Sequence, residues 1–116
     1  MTINPSTRRV NQRHEVQLPV RIEVNGIIRE SEISNMSVGG LYIVDDFEYS
    51  NQQIIKVYFS IPTLNEEMEV ESVIRWVEKN ADGGVAGIGI QFIGLKAKQV
   101  WGMTKYFASL TAAQTI

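Results

Sequence analysis

The chain has 116 residues, 44% of them apolar, with a formal net charge of -2. That is the size of one domain with a substantial core, and the slight acidity argues against a general nucleic-acid binder, a class that is usually basic. There is no cysteine, which excludes disulfide frameworks, thiolate nucleophiles and cysteine-held metals and suits a reducing cytoplasm.

Residues 1–14 read as a flexible basic N-terminal arm: Pro5, polar residues, and Arg8, Arg9 and Arg13, with no sustained period. Met1-Thr2-Ile3-Asn4-Pro5 is not a basic segment followed by an apolar one, so no leader is expected. No apolar run approaches the roughly 18–20 residues that span a bilayer, so no membrane insertion is expected either.

Glu15–Glu23 alternates cleanly. Val16, Leu18, Val20 and Ile22 share one face, and Pro19 on the other suggests an edge or a bulge. Asn25-Gly26 is a two-residue hairpin signal, because both residues tolerate positive φ. A second strand follows from Ile27 to about Ser34. Asn35–Gly40 interrupts it, and Leu41–Val44 resumes as a strand. Ile54–Ile61 alternates again. Met68–Val77 is the clearest long strand, with Met68, Val70, Ser72, Ile74 and Trp76 on one side and Glu67, Glu69 and Glu71 starting a water-facing row. After the loop Asn80–Gly84, Val85–Phe92 closes the set. Leu95–Leu110 changes period: Val100, Met103, Phe107 and Leu110 recur at helical spacing, with Gly102 weakening the helix by roughly 1 kcal/mol relative to alanine.

Connections this short force antiparallel pairing. The expected fold is mainly all-β: a six-stranded antiparallel β-barrel with a C-terminal α-helix, occupying residues 15–116.

Two motifs carry the chemistry. The first is Arg-x-x-x-Arg at Arg9 and Arg13. The second is Asn/Asp-x-Ser-x-x-Gly at Asn35, Ser37 and Gly40. Alone, the first reads as a solvated arm and the second as a turn. Together they suit a small anionic ligand. A guanidinium fork matches the O6/N7 edge of guanine or a phosphate and can stack on a purine. An asparagine amide can pair with a base edge, a serine hydroxyl with a phosphate or base edge, and Gly39-Gly40 lets backbone N–H groups converge on an anion.

With these motifs in this order the sequence resembles the PilZ domain family, bacterial receptors for cyclic di-GMP. Gly87-Ile88-Gly89-Ile90-Gln91-Phe92 looks like that family's last strand. The resemblance implies cyclic di-GMP as ligand, held by Arg9, Arg13, Asn35, Ser37 and Gly40, with Gly39 beside them. A basic residue at the place of Arg8 often goes, in this family, with binding a stacked pair of ligand molecules. It further implies a cytoplasmic receptor or adaptor in control of biofilm or motility. The arm would order on binding, and the signal would pass to a separate, unidentified effector protein.

The alternative is a PilZ-type interaction module that does not depend on nucleotide; keeping both motifs argues against it. A single-stranded nucleic-acid barrel is disfavoured by the acidity and by the lack of an aromatic row on the polar faces. No enzyme is expected. The single histidine, His14, reads as an exposed strand-entry residue without metal partners, and the absence of cysteine, carboxylate pair, metal-ligand spacing or nucleophile motif leaves no catalytic or metal site and calls for no cofactor.

Overall fold

The computed structural model describes residues 12–114, and they form a closed six-stranded antiparallel barrel followed by one helix, as the sequence pattern implies. Arg8 and Arg9 lie outside the described residues. The strands are β1 (His14–Val24), β2 (Ile27–Met36), β3 (Gly40–Val44), β4 (Ile54–Phe59), β5 (Met68–Lys79) and β6 (Val85–Ile93); the helix is α1 (Ala97–Gln114). Around the barrel the order is β1-β2-β3-β6-β5-β4, and β4 pairs back with β1 through Arg21–Tyr58, Ile22–Val57 and Glu23–Lys56.

Alternation sets the inside. Val20, Ile22, Ile33, Leu41, Ile43, Val57, Phe59, Met68, Val70, Ile74, Ile88 and Ile90 fill the lumen, and α1 adds Met103, Tyr106 and Phe107 to the same core. Asn25 and Gly26 both take positive φ, 51° and 81°, as a tight hairpin between right-twisted strands requires. A bulge between Glu15 and Leu18 of β1 comes just before Pro19, where the missing N–H would otherwise interrupt a ladder.

Three expectations change. β2 runs on to Met36, so Asn35 is a strand residue and the interruption shrinks to Ser37–Gly39. His14 opens β1 but is half-buried, its ring stacked on Phe107 at 4.4 Å between centroids. In β5 the alternation breaks at a bulge between Ile74 and Trp76, which turns Trp76 out of the lumen and leaves it 41% exposed.

Gly102 has a packing reason. A Cβ there would run into the Leu64 side chain, and the Thr63 hydroxyl donates to the Gly102 carbonyl at 2.5 Å. The helix start is fixed by Gln99, whose side-chain oxygen accepts from the Lys96 N–H at 3.0 Å, half of a capping box.

The β3–β4 connection is built on Asp45, only 8% exposed. Its carboxylate accepts from Arg29 Nη2 at 2.9 Å, from the Tyr49 hydroxyl at 2.6 Å and from the Asp46 N–H at 2.8 Å. Burial pushes the carboxyl up, but the hydrogen bonds from Arg29, Tyr49 and Ser31 outweigh it and hold it down at about 2, against an ordinary 3.8. A depressed carboxyl stabilises the fold fully above its unfolded pKa, and that contribution is lost as pH falls through the folded value. Asp45→Asn should therefore cost about 2 kcal/mol at neutral pH and flatten the loss of stability between pH about 4 and 2. Denaturant melts of both proteins across that window check this; parallel curves would contradict it.

Candidate functional site

The second motif begins at the end of β2 and carries the chain into β3. Ser37 is 5% exposed, and its hydroxyl oxygen accepts from the Gly39 N–H at 3.1 Å. The Ser37 N–H donates to the Gly40 carbonyl at 2.9 Å, and the Phe92 N–H donates to the Gly39 carbonyl at 2.9 Å. A short hydroxyl side chain thus closes the turn from within, and β6 anchors it from outside. The hydroxyl keeps its own hydrogen for a second partner.

Gly40 is required by the barrel itself. It pairs with Gln91 across β3–β6, and a Cβ at this position would sit well inside van der Waals contact with the Ile90 carbonyl oxygen. Its φ is not in the left-handed region, so the constraint is close backbone approach rather than conformational freedom.

From this corner a band of outward-facing residues runs across four strands. Asn35 of β2 is opposite Tyr42 of β3, Tyr42 is opposite Gly89 of β6, and Gly89 is opposite Trp76 of β5. The two β6 glycines make the band a shelf. A Cβ on Gly89 would run into the Trp76 indole, and one on Gly87 into the Tyr42 phenol. Each aromatic lies over a glycine. The Tyr42 hydroxyl donates to Glu78, and burial first, then that bond, pushes its pKa up to about 12, so it stays a neutral donor.

Arg13 reaches this band from the start of the described chain. Its Nη1 donates to Asn35 Oδ1 at 2.8 Å, and its guanidinium stands over the Trp76 ring at 5.5 Å from the centroid. The last arginine of the first motif and the first residue of the second are therefore in contact, 22 residues apart in sequence. Neither partner of Arg13 is a carboxylate, so its charge is not neutralised by them, and most of its N–H donors stay available.

The structure thus brings Arg13, Asn35, Ser37, Gly39 and Gly40 to one stretch of wall. Trp76 is the residue that the period-two pattern assigned to the lumen. What marks it is a pairing that only the register reveals: a large aromatic opposite a glycine, with the ring covering the gap the glycine leaves. Among the described residues there is no group of three or more His, Cys, Asp or Glu side chains placed to hold a metal ion, and no helix long and apolar enough to cross a membrane.

Known structures share this barrel. The inhibitor of motility MotI/DgrA of Bacillus subtilis superposes with a TM-score of 0.79 at 17% identity, over 91% of this chain and 52% of that one. MrkH of K. pneumonia, in complex with c-di-GMP, superposes with a TM-score of 0.76 at 18% identity, over 93% and 54% respectively. The chain therefore spans about half the length of these two proteins. The isolated PilZ domain of YcgR from Escherichia coli, with c-di-GMP, matches it nearly end to end, over 93% of this chain and 95% of the other, with a TM-score of 0.69 at 8% identity. At these identities the likeness establishes the fold alone. No match was found among curated proteins. The sequence profile of the PilZ domain matches residues 7–106, which takes in both motifs and all six strands, and the chain belongs to the PilZ domain family.

Proposed function

We propose that this protein is a receptor for cyclic di-GMP. The ligand would lie on the shelf formed by Asn35, Ser37, Gly39, Gly40 and Trp76, with Arg13, Arg9 and Arg8 closing over it from the arm of residues 1–14. The observation that carries this reading is the contact of Arg13 with both Asn35 and Trp76. It holds a guanidinium fork, an amide and an aromatic ring together with no carboxylate among these partners to cancel the charge. The arrangement suits a purine that is also an anion. The ring offers a stacking face, Arg13 a bidentate donor pair for guanine O6/N7 or for phosphate, and Asn35 its amide N–H groups.

Cyclic di-GMP also binds the K. pneumonia and E. coli proteins that share the fold, and the B. subtilis protein inhibits motility. We read this chain as a cytoplasmic adaptor. Ligand would order the arm, and the altered surface around it would engage a separate effector. A stacked ligand pair, with Arg8 contacting the second molecule, is the stoichiometry we expect. Hydrogen exchange should then show residues 1–14 becoming protected on binding.

Calorimetry tests the reading. Cyclic di-GMP should bind, and cyclic di-AMP should bind much more weakly, because adenine presents a donor where guanine presents O6. Arg13→Ala should lose about 1–3 kcal/mol, roughly 5- to 150-fold in affinity. Equal affinities for wild type and Arg13→Ala would remove Arg13 from the site. Absence of any heat with the wild-type protein would favour a nucleotide-independent interaction module.

A further inference from the structure

The described arginines fall into two groups. Arg21 pairs with Glu67 at 2.6 Å and Arg29 with Asp45 at 2.9 Å, so each has a carboxylate to balance it. Arg13 and Arg75 have none within ion-pair distance among the described residues. Arg75 is nevertheless held. Its Nε donates to Gln91 Oε1 at 2.5 Å and its Nη1 to Gln52 Oε1 at 3.0 Å. Two neutral amide oxygens thus fix an exposed guanidinium in place and leave its charge uncompensated, with Nη2 unused by either bond.

The position of Arg75 gives this meaning. It is the residue at the β5 bulge, next to Trp76, and Gln91 lies directly opposite Gly40 of the second motif. Arg13 stands over the Trp76 ring, and Arg75 adjoins Trp76 in the chain. The two uncompensated arginines therefore both adjoin one aromatic residue, and a cyclic dinucleotide carries two phosphates.

We infer that Arg75, steadied by Gln91, is a second anion-binding point of the shelf, which takes a phosphate of the bound dinucleotide that Arg13 does not. This rests on the cyclic dinucleotide reading above. The bulge is the device that makes it possible. A regular β5 would alternate Arg75 and Trp76 to opposite faces, whereas the extra residue lets both look outward. Gln91 has a matching part: it fixes the guanidinium without neutralising it, which a carboxylate at that position would do.

The test is a titration of cyclic di-GMP into wild type, Arg75→Gln, Arg13→Ala and Arg21→Gln at low and high salt. Arg21→Gln removes the same charge from an arginine balanced by Glu67, so it controls for net charge. Arg75→Gln should lose about tenfold or more in affinity and show a weaker salt dependence, while Arg21→Gln matches the wild type. If Arg75→Gln binds like wild type while Arg13→Ala is impaired, the second anion point is wrong and the receptor reading stands. Equal losses in Arg75→Gln and Arg21→Gln would also overturn it, by assigning the effect to overall charge. If wild type does not bind at all, the receptor reading fails and takes this inference with it. Thermal melts of all four proteins exclude loss of fold as the cause.

Discussion

Gly40→Ala should destabilise the barrel by about 3 kcal/mol or more, a large share of the roughly 5–15 kcal/mol that holds a domain folded. The added methyl group meets the Ile90 carbonyl oxygen, which belongs to the backbone of the neighbouring strand and cannot rotate away. Relief requires β3 and β6 to part, and their pairing from Gly40–Gln91 to Val44–Gly87 joins the first half of the barrel to the second. Chemical denaturation of the variant measures the effect directly. A shift of less than about 1 kcal/mol would mean that the strands yield easily and that the glycine serves the ligand instead. The expectation matters for function as well. Loss of ligand binding in this variant reports on the fold, and it cannot be read as loss of a ligand contact.

The second large effect falls on binding. The double variant Arg13→Ala/Trp76→Ala should lose about 2–4 kcal/mol of cyclic di-GMP affinity, from one fork contact and one stacking face. The two side chains touch, so their separate losses should not add. Arg13→Ala leaves the indole without its cation, and Trp76→Ala leaves the guanidinium held by Asn35 alone. Calorimetry of the two single variants and the double variant closes the cycle. A double variant within about twofold of wild type would show that the ligand binds elsewhere.

Much of the fold was legible because period-two alternation is a direct consequence of strand geometry. Val20 and Ile22, Val57 and Phe59, and Ile88 and Ile90 declare the lumen, and Asn25-Gly26 declares a turn that the observed φ values of 51° and 81° match. The candidate site was legible in part, through its two motifs. Three things were not. Trp76 was assigned to the lumen because alternation assumes an unbroken register, and a bulge breaks register without any reliable sign in the strand that carries it. Asn35 was read as part of an interruption because Asn and Ser have low strand propensity, whereas pairing with both β1 and β3 keeps Asn35 in the sheet. Arg75 looked like any other strand arginine. What distinguishes it is the absence of a carboxylate partner among the described residues, and partners across strands depend on register that local sequence does not fix.

Charged residues serve different ends in different places on the barrel. Asp45 sits in a polar, turn-like stretch, yet it is the buried centre of a structural network with Arg29 and Tyr49. Lys56 with Glu69 and Lys98 with Glu66 are exposed surface pairs, the kind that contributes little. Among the described residues, the two arginines without a carboxylate partner are Arg13, which contacts Asn35 and Trp76, and Arg75, whose partner Gln91 lies opposite Gly40.

The most direct measurement uses the protein's own indole. In a Trp101→Phe variant, Trp76 is the only tryptophan. Titration with cyclic di-GMP should change its fluorescence saturably, with the same affinity that calorimetry gives, because in the proposed complex a guanine stacks on this ring. Calorimetric binding with no change in Trp76 emission would place the ligand away from this wall and contradict the account.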